Sequence, residues 1–111
     1  MHELGLCTSI VDAIEQRAGD RPVARVRVRV GRLHHVHPEA FDQSFAVAAQ
    51  GTVADEAAAE LVLLPVRSRC ADCGETWESD EPAAACPACG AVVVELIGGD
   101  ELTLESIEYR S

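Results

Sequence analysis

The sequence predicts an α+β fold: a small three-stranded sheet with two helices, and a zinc-ribbon-like four-cysteine module inserted before the last strand. Three observations predict it. The apolar residues of the first segment repeat at helical steps, those of the second alternate as in a strand, and two C-x-x-C pairs separated by twelve residues interrupt the pattern before a final strand.

Residues 3–18 read as an amphipathic helix. Leu4, Cys7, Ile10, Val11, Ile14 and Ala18 share one face, while Asp12, Glu15 and Arg17 point away from it. Gly19-Asp20-Arg21-Pro22 stops the helix. Residues 23–30 then alternate strictly, with Val26, Val28 and Val30 on a buried face and Arg25, Arg27 and Arg29 on a solvated one. Residues 31–37 form a loop carrying His34, His35 and His37. Pro38 suits the first turn of a second helix that buries Phe41 and Phe45 and ends at Gly51. Residues 60–66 read as a second strand.

The metal module follows, with Ser79-Asp80-Glu81-Pro82 as its middle and Trp77 as its one large apolar residue. Gly98-Gly99-Asp100 is a turn into a final strand over residues 102–110. Its apolar positions shift from Leu102 and Leu104 to Ile107 and Tyr109, which predicts a bulge or a change of buried face. Residues 1–66 and 98–111 are thus expected to form one domain, with 67–97 inserted into it.

Cys70-Ala71-Asp72-Cys73-Gly74 and Cys86-Pro87-Ala88-Cys89-Gly90 carry the strongest chemical signal. Two residues between thiols let one tight turn aim both sulfurs at a common point, and a following glycine accepts the left-handed backbone such a turn uses. Four thiolates complete a tetrahedral site and leave no coordination position open for chemistry, so Cys70, Cys73, Cys86 and Cys89 read as a structural zinc site. Cys7 is the odd cysteine, and its place on the apolar helix face makes it a small buried hydrophobe.

Composition narrows the function. The formal charge is −10 over 111 residues, and all nine basic residues are arginine. Phosphate neutralisation needs a basic face, so nucleic acid is not an expected partner. No apolar run approaches the roughly 18 residues needed to cross a membrane, and no signal-peptide pattern opens the chain. Cysteines at metal spacing suit a reducing compartment, which places the protein in the cytoplasm. A monomer or weak homodimer is the expected state.

The chain begins Met1-His2-Glu3. A histidine at position 2 keeps the initiator methionine, so the free amine belongs to Met1. That amine, the His2 imidazole and intervening peptide nitrogens make a nitrogen-rich set suited to nickel or copper. Glu3 is near enough to add a carboxylate or orient the imidazole.

Met1-His2-Glu3-Leu4, Pro38-Glu39-Ala40-Phe41, Gly51-Thr52-Val53-Ala54, the two cysteine knuckles, Gly99-Asp100-Glu101-Leu102 and Ser106-Ile107-Glu108 occur in this order along the whole chain. In these motifs and in length the sequence closely resembles the HypA/HybF family of nickel-incorporation proteins for [NiFe]-hydrogenase maturation. The resemblance implies a nickel-binding α/β domain and a zinc domain, with Ni2+ carried at His2 beside Met1 and Glu3, and Zn2+ held by the four cysteines. It further implies a metallochaperone rather than an enzyme. The partners it implies are a HypB-type GTPase and the [NiFe]-hydrogenase large subunit, with urease a second client in some members. One departure is His37, which stands where relatives more often carry an acidic residue; His37, and after it His35, is a candidate to supplement the His2 site. Two other readings remain open from the cysteines alone: a zinc-ribbon protein-interaction adaptor, and a rubredoxin-like iron electron carrier. A metallo-hydrolase fits least, since no histidine–carboxylate set accompanies an open zinc site.

Overall fold

The computed structural model describes residues 2–111. The chain divides into two compact units, one built from the described residues up to Arg29, Val36–Val62 and Thr103–Ser111, the other from Val30–His35 and Leu63–Leu102. The second unit therefore extends beyond the cysteine-bearing segment and takes in the loop that follows the first strand.

In the first unit, helix α1 (His2–Ala18) buries Leu6, Cys7, Ile10, Val11, Ile14 and Ala18. Its last turn ends at Gly19, whose φ of +62° is readily reached without a Cβ. Helix α2 (Pro38–Ala49) starts with proline in its first turn and buries Phe41, Ser44, Phe45 and Ala49. The two helices pack on each other. The Phe41 and Phe45 rings stack at 6.3 Å between centroids, and Phe41 is fully buried. Each such ring contributes about 1.5–3 kcal/mol by leaving water.

Strand β1 (Val23–Gly31) is the centre of a three-stranded sheet, with β2 (Ala58–Leu64) on one side and β6 (Leu102–Tyr109) on the other. Val26, Val28 and Val30 are fully buried, as the alternation requires. Arg25, Arg27 and Arg29 line the opposite face. Arg27 bonds Glu60 at 3.0 Å and Glu105 at 3.3 Å, Arg29 bonds Glu105 at 3.2 Å, and Arg25 forms a longer ion pair with Glu108 at 3.6 Å. Both Glu105 and Glu108 reach the arginine row although they differ in parity. Strand β6 therefore changes face between them, while Leu104 turns inward.

The second unit contains an antiparallel sheet of order β4-β3-β5, from β3 (Val66–Cys70), β4 (Thr76–Ser79) and β5 (Val94–Gly98). Here the structure corrects one expectation. The apolar stretch read as a single strand over 60–66 is two strands in two sheets, parted at Pro65, whose missing N–H ends the ladder. Opposite β3, the register runs from Arg67↔Gly98 to Ser68↔Leu96, so Ile97 is the extra residue of a bulge. The loop after β1 also differs from expectation: Arg32–His34 form a 3-10 turn. The Leu33 N–H donates to the Gly99 carbonyl at 2.8 Å and the Gly31 N–H to that of Glu101 at 2.8 Å. A Cβ on Gly31 would collide with the Gly99 carbonyl, which is why glycine stands where these two backbones meet.

Candidate metal centres

Strand β3 delivers Cys70 at its end, and the hairpin to β4 turns immediately so that Cys73 faces back toward it. The two knuckles share one hydrogen-bond plan. The Gly74 N–H donates to the Cys70 carbonyl at 2.9 Å and the Cys70 N–H to that of Glu75 at 2.8 Å; Gly90 to Cys86 and Cys86 to Ala91 repeat both bonds at 2.9 and 2.8 Å. Gly74 and Gly90 take φ of +80° and +78°, the left-handed conformation expected after each second cysteine.

All four sulfurs lie within 4.8 Å of one another. Cys70 Sγ to Cys89 Sγ and Cys73 Sγ to Cys86 Sγ are each 3.7 Å. A tetrahedron with metal–sulfur bonds near 2.3 Å needs sulfurs about 3.8 Å apart, so the cage fits a zinc ion. Cys70 and Cys86 are buried and Cys73 and Cys89 exposed, so the cage has one inner and one outer sulfur from each knuckle. Main-chain N–H groups aim at the inner pair, Cys73 N–H at Cys70 Sγ (3.5 Å) and Ala88 N–H at Cys86 Sγ (3.3 Å). These donors stabilise thiolate, as a metal ligand requires.

The thiols do not behave as independent acids. Burial pushes the Cys86 thiol up, but the N–H groups of Cys89 and Ala88 and bonds from Cys73 and Cys89 outweigh it and bring Cys86 down to about 7. Cys89 receives an N–H bond from Ala91 that lowers it; its bond to Cys70, burial and its bonds to Cys73 and Cys86 carry it up to about 12. Charge placed on one sulfur is withheld from its neighbours. A divalent cation relieves that repulsion, and with it all four serve as thiolates.

The N-terminal residues have a different geometry. His2 and Glu3 occupy the first turn of α1, and both are partly or fully exposed. Met1, whose amine belongs to the expected nickel set, lies outside the described residues. Among the described residues, His2 and Glu3 are not gathered with a third ligand as the cysteines are. Glu3 is nonetheless tied down: its Oε2 accepts the His37 main-chain N–H at 3.3 Å. Its own N–H, that of His37 and the nearby imidazoles of His2 and His37 hold its carboxyl below the usual 4.5. His37 is the N-cap residue of α2, exposed, and its imidazole makes no capping bond. This Glu3–His37 link was outside the reach of sequence spacing, since 34 residues separate the two.

The other histidines part company with it. His34 Nε2 lies 2.9 Å from the Asp100 carbonyl, so it is a tethered residue of the second unit rather than a free loop side chain. His35 is exposed at φ 54° and closes the 3-10 turn through its N–H to Arg32. Cys7 faces inward as expected: it is fully buried, its thiol bonds the Phe41 carbonyl at 3.6 Å, and burial pushes it up to about 11.

The family model for hydrogenase/urease nickel incorporation, metallochaperone, hypA matches residues 1–109. The chain belongs to the HypA family. It is 38% identical over 111 residues to hydrogenase maturation factor HypA of Rhodopseudomonas palustris strain BisB5, covering 97% of this chain and 98% of that one. It is 37% identical to the HypA of Acidithiobacillus ferrooxidans strain ATCC 53993, covering 99% and 100%. Its fold is similar to the solution structure of the nickel metallochaperone HypA from Helicobacter pylori, with a TM-score of 0.68 at 23% identity over 98% and 97% of the two chains. The HypA architecture of two helices and two small three-stranded sheets, with a four-cysteine cluster, is therefore present here. No helix among the described residues is long and apolar enough to cross a membrane.

Proposed function

We propose that this HypA-family chain carries Ni2+ at its N-terminus and delivers it to the large subunit of [NiFe]-hydrogenase, working with a HypB-type GTPase in the cytoplasm. Membership of a nickel-incorporation family over residues 1–109 is the observation that carries this reading. The His2 imidazole is the anchoring donor, Glu3 a carboxylate donor or orienter, and the Met1 amine a further ligand. His37 supplements them; its support is the bond that already draws its backbone to Glu3. A terminus can release its donors one at a time, which suits a carrier that must give up its metal. Affinity falls in acid, because protons compete with the metal for imidazole and amine nitrogens.

The residues 1–66 and 98–111 are proposed as the nickel domain and 67–97 as the zinc domain. Zinc bound by Cys70, Cys73, Cys86 and Cys89 supplies cross-linking and charge neutralisation, not chemistry, because four thiolates fill its coordination. The chain acts as a monomer or weak homodimer.

The test is transfer. Nickel-loaded protein is mixed with immature hydrogenase large subunit and excess chelator, and nickel is followed into the large subunit. Transfer from wild type but not from His2→Ala is the expected result; equal transfer from both would overturn the reading. Metal analysis of the same samples separates zinc from an iron tetrathiolate, which would be red.

A further inference from the structure

Strand β5 (Val94–Gly98) is an edge of its sheet, and its protection is slight: five residues, the single charge of Glu95 and the bulge at Ile97. The run Val92-Val93-Val94-Glu95-Leu96-Ile97 carries one charge and no proline. Val92, Val93 and Leu96 are 77%, 51% and 51% exposed, and Ile97 is 38% exposed. An exposed apolar edge is an aggregation hazard unless something pairs with it. The bulge at Ile97 adds relief to the surface. One cavity of about 290 Å³ is lined by Leu33, Leu96, Ile97, Gly98 and Asp100; another of about 260 Å³, which Ile97 also lines, lies over β3 and β4 at Ser68 and Trp77. The Ser68 hydroxyl is buried without a partner among the described residues. Main-chain groups on the outer side of β5 and the side-chain hollow at Leu96 and Ile97 are what an added strand uses for affinity and for selectivity.

Charge identifies the occupant. The unit that contains β5 has eight acidic residues against three arginines. Every one of those arginines is already in an ion pair: Arg32 with Asp80 at 3.5 Å, Arg67 with Glu78 at 3.8 Å and Arg69 with Glu95 at 3.2 Å. Five carboxylates are left without a cationic partner among the described residues, and Asp100, one of them, lines the larger cavity. A second copy of this chain would bring the same negative unit against itself, and nucleic acid or an anionic lipid surface would be repelled likewise. We infer that β5 is a docking edge for an extended, basic and apolar segment of a partner protein, which adds as a strand with its apolar side chains beside Ile97 and its cationic ones toward the surplus carboxylates.

The probe is an acetylated, amidated heptapeptide alternating lysine and valine, titrated into the zinc-loaded full chain and followed by amide NMR shifts and hydrogen exchange. Shifts centred on residues 92–98, slowed exchange of the β5 amides, and affinity that falls as salt rises are expected. Leu96→Asn, at a half-exposed position, weakens binding fivefold or more, while Val47→Asn, an exposed apolar residue of α2, leaves it unchanged. Any of three results overturns the inference: shifts absent from β5 or spread over the whole acidic surface; equal binding of a glutamate–valine peptide or of the same peptide N-methylated at alternate amides; or self-association of the chain that Leu96→Asn abolishes.

Discussion

The cysteine cage and the N-terminal turn are both candidate metal sites, and they are built in opposite ways. The cage is enclosed by its own chain: two matching knuckles gather four sulfurs, with two cross-knuckle pairs at 3.7 Å, and amide donors aim at the inner ones. The N-terminal set has one tethered element, the Glu3 carboxylate that accepts the His37 N–H, beside two exposed imidazoles. Closure suits a metal that stays, and exposure suits one that leaves.

The sharpest way to break this contrast is to remove one cage sulfur. Cys86→Ser should lose the zinc and with it the amide dispersion of residues 63–102, because structural zinc sites supply about 10–16 kcal/mol of apparent binding energy to folding. Residues of α1 and α2 should keep their native shifts; collapse of both units together would show that the cage also supports the helical unit. The reverse experiment is Phe41→Ala. It removes a fully buried ring stacked on Phe45 and should cost about 3–5 kcal/mol, measured by denaturant unfolding of the helical unit, with zinc content unchanged.

Smaller effects refine the N-terminal side. His37→Ala should weaken nickel about tenfold in calorimetric titration and leave zinc untouched, a size typical of supporting contacts at metal sites. Unchanged affinity and stoichiometry would remove His37 from the set. The smallest effect concerns Glu3 alone. Its carboxyl is held below 4.5, chiefly by its own N–H and then by that of His37, so the folded state favours the ionised form. The stabilisation of this helix start is complete above about 4.5 and is lost as pH falls through the lowered value. The His37 amide shift should therefore titrate below pH 4.5 in wild type and stay flat there in Glu3→Gln.

Much of this was legible in the chain itself. Period-3.6 and period-2 patterns located α1, β1 and α2, since one buried face dictates side-chain type along an element. The knuckles were legible because C-x-x-C-G encodes a turn chemistry as well as ligands. The parity shift between Leu104 and Ile107 announced the change of face in β6. What stayed hidden depends on partners distant in sequence. The run from Glu60 to Val66 is apolar on both sides of Pro65, and only sheet assignment separates β2 from β3. The Glu3–His37 bond and the His34–Asp100 tether join residues 34 and 66 positions apart, with no local signature. The strand at Val94–Gly98 and its exposed edge stayed hidden inside the metal module, because a run of β-branched residues says nothing of what covers it.

The proposed division of labour between the two sites is tested most directly by metal analysis of purified wild type beside His2→Ala, each equilibrated with zinc and nickel and then desalted. One zinc per chain in both proteins, with nickel retained by the wild type alone, is the result expected of a closed structural cage and an open N-terminal carrier site. Nickel retained equally by His2→Ala, or nickel appearing in either protein at the expense of zinc, would contradict it.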